Sequence, residues 1–229
     1  MKKILVIGSG SDIAVELIKK IHHEEDAYFV LLSSDTLTKK KYNFLDGNFF
    51  FKKINYKKNL KILFFSIFKK NIFNEIFIFN GYLPKNSSDA EQSKSLAVNF
   101  TQPVKLLSLI TDFYKYKKLK VIIFSSPAAD RPRKINFIYG SHKKALEFHL
   151  NGLRLLFSRI HFVIVKPGPT KTKMTNGLKG FKHEPQTVAK SIYWQLKLGL
   201  DTIYTPFFWK LIMFFILMIP RKIFKHLNF

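Results

Sequence analysis

The chain alternates short apolar runs with longer amphipathic segments from its first residues, and that alternation limits the fold more than any other feature. Lys3 to Ile7 is an apolar run closed by Gly8-Ser9-Gly10-Ser11, and Ile13, Leu17, Ile18 and Ile21 then recur at helical spacing. Strand, tight turn and helix are predicted in that order. The pattern repeats through Tyr28 to Leu32, Phe49 to Ile54, Glu75 to Phe79, Val121 to Phe124 and His161 to Val165. Parallel strands need crossover connections and lose solvent on both faces, so the expected architecture is an α/β parallel sheet between two helical layers. Ligands of such sheets bind at the carboxyl ends of the strands.

With 229 residues, 47% of them hydrophobic, the chain can bury a real core in one domain. No fixed-period repeat and no Pro, Gly or Ser-rich linker divides it. A catalytic domain over 1–205 and a tail over 206–229 are expected. The absence of cysteine excludes disulfides and thiolate chemistry, so no metal is expected and any reaction must use oxygen, nitrogen or a borrowed cofactor. The formal charge of +24 suits nucleic acid, anionic lipid or a phosphorylated ligand and does not choose among them. Because Met1-Lys2-Lys3 is followed only by Ile4 to Ile7 before the glycines, no export signal is read, and a cytoplasmic location is expected.

Three clusters carry chemistry. Gly8-Ser9-Gly10-Ser11-Asp12-Ile13-Ala14 lies between the first strand and first helix, where backbone N–H groups can hold a pyrophosphate. Tyr139 and Lys143 project from one face of a predicted helix, where an ammonium is expected to lower the phenol's pKa. Ser125-Ser126 ends the strand Val121 to Phe124, placing a hydroxyl thirteen residues before the tyrosine. His22-His23 reads as the solvated end of a helix. The aromatic and Lys-rich stretch Phe44 to Phe73 reads as core, and nucleic acid is not expected as a partner.

With these residues in place, the chain to about residue 205 resembles the short-chain dehydrogenase/reductase family, which implies a Rossmann-type doubly wound sheet. Asn80-Gly81, Val98-Asn99 and Pro167-Gly168 resemble further family segments in the family's order. The resemblance implies a catalytic set of Asn99, Ser126, Tyr139 and Lys143. Tyr139 would donate a proton to a carbonyl oxygen polarised by Ser126, and Lys143 would support Tyr139 and bind the nicotinamide ribose. Asn99 would hold a water in the proton relay. Pro103, lacking an N–H, leaves the Asn99 carbonyl without its ordinary helical partner.

Cofactor contacts implied by the resemblance are Gly8, Gly10, Ser11, Asp12, Ile13, Ser33, Ser34, Asn55, Asn80, Gly81, Tyr139, Lys143, Pro167, Gly168, Thr170 and Thr172. Asp12 and Ala14 stand where the family usually has glycine. Hydroxyls at Ser33 and Ser34 followed by Lys39, Lys40 and Lys41 favour NADP(H) over NAD(H), although Asp35 lies one place beyond the family's usual acid.

Within the family, the glycine turn, the Gly81 segment, Gly152-Leu153-Arg154 and the apolar tail resemble the branch of decaprenylphosphoryl-ketopentose 2-reductases. That implies a carbonyl substrate in the form of a keto-sugar on a polyprenyl phosphate, a partner oxidase, and work at the inner face of the plasma membrane. Thirteen residues lie between Pro206 and Pro220. At about 1.5 Å each they reach roughly 20 Å, short of a hydrocarbon core of about 30 Å. The tail is therefore read as an apolar, amphipathic helical segment that lies on a membrane surface, with packing between subunits of a homo-oligomer as the alternative.

Overall fold

The computed structural model describes residues 1–56, 58–177 and 179–227. Seven strands form one parallel sheet: β1 (Lys2–Ile7), β2 (Ala27–Ser33), β3 (Phe49–Lys53), β4 (Glu75–Ile78), β5 (Leu119–Phe124), β6 (Ile160–Pro167) and β7 (Thr202–Thr205), in the order β3-β2-β1-β4-β5-β6-β7. Six of these are the expected runs with ends shifted by a few residues. β7, a short edge strand, was not expected from the sequence.

Side-chain alternation explains why the strands are apolar throughout. Ile4 and Val6 join one core with Phe29, Leu31, Ile122 and Phe124, while Leu5 and Ile7 join a second with Val30, Leu32, Val121 and Ile123. The first core is covered by α1 (Asp12–Glu24) and α6 (Pro185–Lys197), which supply Leu17, Ile18, Val188 and Ile192. The second is covered by α2 (Leu60–Lys70), α4 (Gln102–Tyr114) and α5 (Phe137–Leu156), through Phe64, Leu106, Ile110, Leu146 and Leu150.

A further helix, α3 (Asp89–Leu96), runs into α4 through a π-helical turn at Ala97–Thr101. The cause is Pro103: it has no N–H for the Asn99 carbonyl, and widening the preceding turn relieves the ring's crowding of that carbonyl. Gln102 N–H accordingly bonds the Ala97 carbonyl.

The tail forms α7 (Trp209–Met218) and α8 (Arg221–Phe224); residues 228 and 229 of the expected tail lie outside the described residues. Among the described residues, no helix is long and apolar enough to cross a membrane. Arg131 holds the tail down by donating to the carbonyls of Ile216, Leu217 and Ile219 at the C-terminal end of α7.

Candidate active site

The strand order reverses at β1, which lies between β2 and β4, and a cavity of about 740 Å³ opens at the carboxyl ends of these strands. Gly8, Gly10, Ser11, Asp12 and Ile13 form its floor beside the N-terminus of α1, and Ser33 and Ser34 line it from β2. Gly8 has φ +79° and a β-carbon there would stand 3.2 Å from the Phe79 backbone, so the turn needs glycine. Asp12, in place of a glycine, ties three segments together: its carboxylate meets Lys41 Nζ at 3.1 Å and accepts from Lys173 N–H at 3.0 Å. Asp35 is spent on capping, accepting from Leu37 N–H at 2.9 Å.

Ser126, Tyr139 and Lys143 line the same cavity. α5 approaches the turn at Pro127–Ala129 so closely that a side chain at Gly140 would overlap the Ala128 carbonyl. This approach brings the Tyr139 hydroxyl near Ser126, which acts to lower the phenol's pKa. One turn on, Lys143 is 1% exposed and donates to the carbonyls of Asn80 and Phe124 at 2.8 Å each. The fixed ammonium thus pins α5 to the ends of β4 and β5.

Burial reverses one expectation. The Tyr139 hydroxyl is pushed up to about 12, only partly offset by Ser126, and the Lys143 ammonium is pushed down to about 7, with Glu147 opposing. Desolvation of each charged form outweighs the attraction between them that the spacing suggested.

Asn99 is fully buried and lies behind the cavity wall. Its amide clamps the loop after β4, accepting from Tyr82 N–H at 3.0 Å and donating to the Tyr82 carbonyl at 2.7 Å and Ser95 Oγ at 3.0 Å. Ser95 Oγ in turn meets His142 Nδ1 at 3.0 Å, which places that histidine in the packing of α3 against α5. Asn80, Gly81, Pro167, Gly168, Thr170 and Thr172 line the cavity, whereas Asn55 does not; its neighbour Tyr56 does, with its hydroxyl 3.3 Å from Asn80 Oδ1.

A buried network under the cavity wall, anchored on Ser125, escaped the sequence reading. Ser125 donates to Glu147, which pairs with Lys166 at 2.9 Å; Lys166 also pairs with Asp130, and Asp130 accepts from Tyr204 at 2.8 Å. This buried network braces the 127–130 turn from below. Above, Trp209, Ile212, Met213, Ile216 and Phe224 roof the cavity. The first four recur at i, i+3, i+4 and i+7, a stripe readable in the sequence as one helix face. The Trp209 indole lies against Gly168 and donates to His183 Nε2 at 3.2 Å.

No protein-family model matches the chain. It is similar to an uncharacterised oxidoreductase of Streptomyces coelicolor, 31% identical over 110 residues that cover 47% of this chain and 44% of that protein. The chain spans about half the length of the curated relatives it matches. A short-chain dehydrogenase of Sphingobium yanoikuyae, solved in complex with NADPH, superimposes with a TM-score of 0.80 at 14% identity, over 90% of this chain and 88% of that one. A 3-ketoacyl-(acyl-carrier-protein) reductase of Brucella melitensis, solved with NADH, does so with a TM-score of 0.76 at 15% identity, over 89% and 96%. The fold is therefore the one these solved dehydrogenases and reductases share.

Proposed function

We propose that the chain is an NAD(P)H-dependent ketoreductase. The observation that carries this reading is the convergence of the Gly8–Gly10 turn, the neighbouring Ser126 and Tyr139 and the carbonyl-held Lys143 on one cavity. The residues fit a dinucleotide: the Gly8–Gly10 turn lines the cavity beside the N-terminus of α1, whose first N–H groups suit a pyrophosphate. Ser33 and Ser34 line the cavity while Asp35 does not, and Asp12, the acid that does, is paired with Lys41; this favours NADP(H), the ligand type of the Sphingobium neighbour.

A bound dihydronicotinamide would supply hydride to the carbonyl carbon. Ser126 donates to the carbonyl oxygen and Tyr139, held protonated by its raised pKa, delivers the proton as that oxygen becomes an alkoxide. The phenolate left behind raises the proton affinity of Lys143, so the pair recovers its proton together. Asn99 positions the Tyr82 loop, and its backbone carbonyl, at the π-turn, is where a relay water would bind.

The finer reading assigns a keto-sugar on a polyprenyl phosphate as substrate, in envelope glycan synthesis, with a partner oxidase producing the ketone. What supports it is the tail. Its inner face roofs the cavity, while Leu211, Phe214, Phe215 and Met218 are exposed outward beside Lys210, Arg221, Lys222 and Lys225, with no acid between Pro206 and Leu227. Such a surface suits an anionic lipid interface at the inner leaflet.

NADPH and NADH oxidation by the full chain over a panel of ketones, prenyl-phosphate keto-sugars included, tests the reaction; alcohol formed in step with cofactor consumed supports it, and no consumption by any ketone rejects it. Flotation with vesicles containing phosphatidylglycerol tests the surface. Binding lost on Leu211→Ser with Phe215→Ser supports the membrane reading, and a chain that never floats favours a carbonyl substrate free in water.

A further inference from the structure

Between the turn at 127–129 and α5, the cavity wall carries two polar groups that the fold leaves unused. Arg133 lines the cavity, burial holds its guanidinium below its usual range, and among the described residues no carboxylate or carbonyl receives its N–H groups. Asn136 lines the same wall, and its Oδ1 is buried without a hydrogen-bond partner. One turn holds both, closed by Asn136 N–H to the Arg133 carbonyl at 3.1 Å. Asn136 is also the N-cap residue of α5, a helix of 20 residues, yet its side chain does not cap it.

The contrast with neighbouring cations is informative. Arg131, two residues earlier, spends its donors on three carbonyls of the tail, and buried Lys166 is matched by Asp130 and Glu147. A half-buried cation and a buried acceptor, both without partners, carry a desolvation cost, and a ligand that brings an anion and a hydroxyl relieves both at once. The N-terminal end of α5 adds a second positive field at the same place.

We propose that Arg133 and Asn136 form a subsite for a phosphorylated polyhydroxy group, Arg133 taking the phosphate and Asn136 Oδ1 accepting from a hydroxyl. The subsite deepens the ketoreductase reading, on which it rests for the identity of the cavity as the substrate's. The phosphate ester comes either from a water-soluble sugar phosphate or from a lipid whose chain lies under Trp209, Ile212, Met213 and Ile216.

Calorimetric titration of the full chain with glucose 1-phosphate, monododecyl phosphate below its micelle concentration, and neutral dodecyl glucoside separates these cases. Arg133→Gln is expected to weaken phosphate binding by about tenfold or more, as loss of a charged hydrogen bond does. Dodecyl glucoside should bind both proteins alike. Lys134→Gln, which removes an exposed neighbouring charge, should leave every affinity unchanged. Dependence on Arg133 with glucose 1-phosphate supports the subsite with a soluble ligand, and dependence with dodecyl phosphate alone supports it with a lipid.

Equal phosphate affinities in wild type and Arg133→Gln overturn the proposal, as does an equal loss in Lys134→Gln. Without ligand, Arg133→Gln should melt no lower than wild type, because it removes an unpaired, half-buried charge; a lower melting temperature assigns Arg133 a structural role and overturns the proposal. No turnover is read in these titrations. Arg133-dependent phosphate binding without NADPH oxidation would strike the ketoreductase reading alone, and the reverse would strike the subsite alone.

Discussion

Gly140 of α5 packs against the carbonyl of Ala128 with no room for a β-carbon between them. The contact sets how near Tyr139 comes to Ser126, because Tyr139 is the residue before the glycine and Ser126 caps the turn that holds Ala128 by accepting from Ala128 N–H at 3.2 Å. Gly140→Ala must move backbone against backbone. The expected outcome is a loss of about 1–3 kcal/mol in urea unfolding together with a large fall in ketone reduction, while NADPH affinity holds. Full activity in a stably folded Gly140→Ala protein would mean that this approach does not set the Ser126–Tyr139 pair.

Lys143 should leave a signature in the pH dependence of stability. Its folded pKa is depressed to about 7, against 10.5 as the unperturbed value. Between these pH values the unfolded chain binds the extra proton, so stability should rise with pH; the cost of burying the charge is full below pH 7 and gone above about 10.5. Lys143→Met also loses two bonds to carbonyls, a constant offset. Urea unfolding at pH 7, 8 and 9 should show a positive slope for wild type relative to Lys143→Met, and parallel profiles would refute the shift.

Glu147 is the hub of the buried network beneath the site, joined to Ser125 and Lys166. Glu147→Gln keeps the shape and removes the charge, leaving Lys166 with Asp130 alone. A loss of about 3–5 kcal/mol in chemical denaturation is expected, the range for removing one partner of a buried pair. A change under about 0.5 kcal/mol, the size of a neutral surface substitution, would show the network to be energetically idle.

Arg131 caps the end of α7 and stacks over the Phe224 ring at 3.9 Å. Arg131→Ala should free the roof, so limited proteolysis should cut within residues 207–219 much sooner than in wild type, with the sheet still folded. Equal cleavage rates would place the tail's hold in its apolar face alone.

Much of this was legible in the sequence, for reasons of periodicity. Apolar runs such as Lys3 to Ile7 face cores on both sides and cannot be mistaken for half-exposed strands, and the Tyr139–Lys143 spacing needs only a helix to bring the two to one face. β7 was not legible, because Thr202-Ile203-Tyr204-Thr205 is four residues at an edge with only Ile203 and Thr205 buried. Burial also decided what spacing could not. The expected lowering of the Tyr139 pKa gave way to desolvation, and the Asn99 amide proved to be a loop clamp because its neighbours, Tyr82 and Ser95, are distant or a helical turn away in sequence. The tail was visible as apolar, but its inner face as the cavity roof depends on Arg131 and Gly168, which no pattern linked to it.

The central claim is that Tyr139 donates the proton in carbonyl reduction, and turnover by Tyr139→Phe at matched NADPH occupancy tests it most directly. The account predicts unchanged NADPH affinity with kcat lower by roughly 10²–10⁴. A Tyr139→Phe protein that reduces the ketone at the wild-type rate would contradict it.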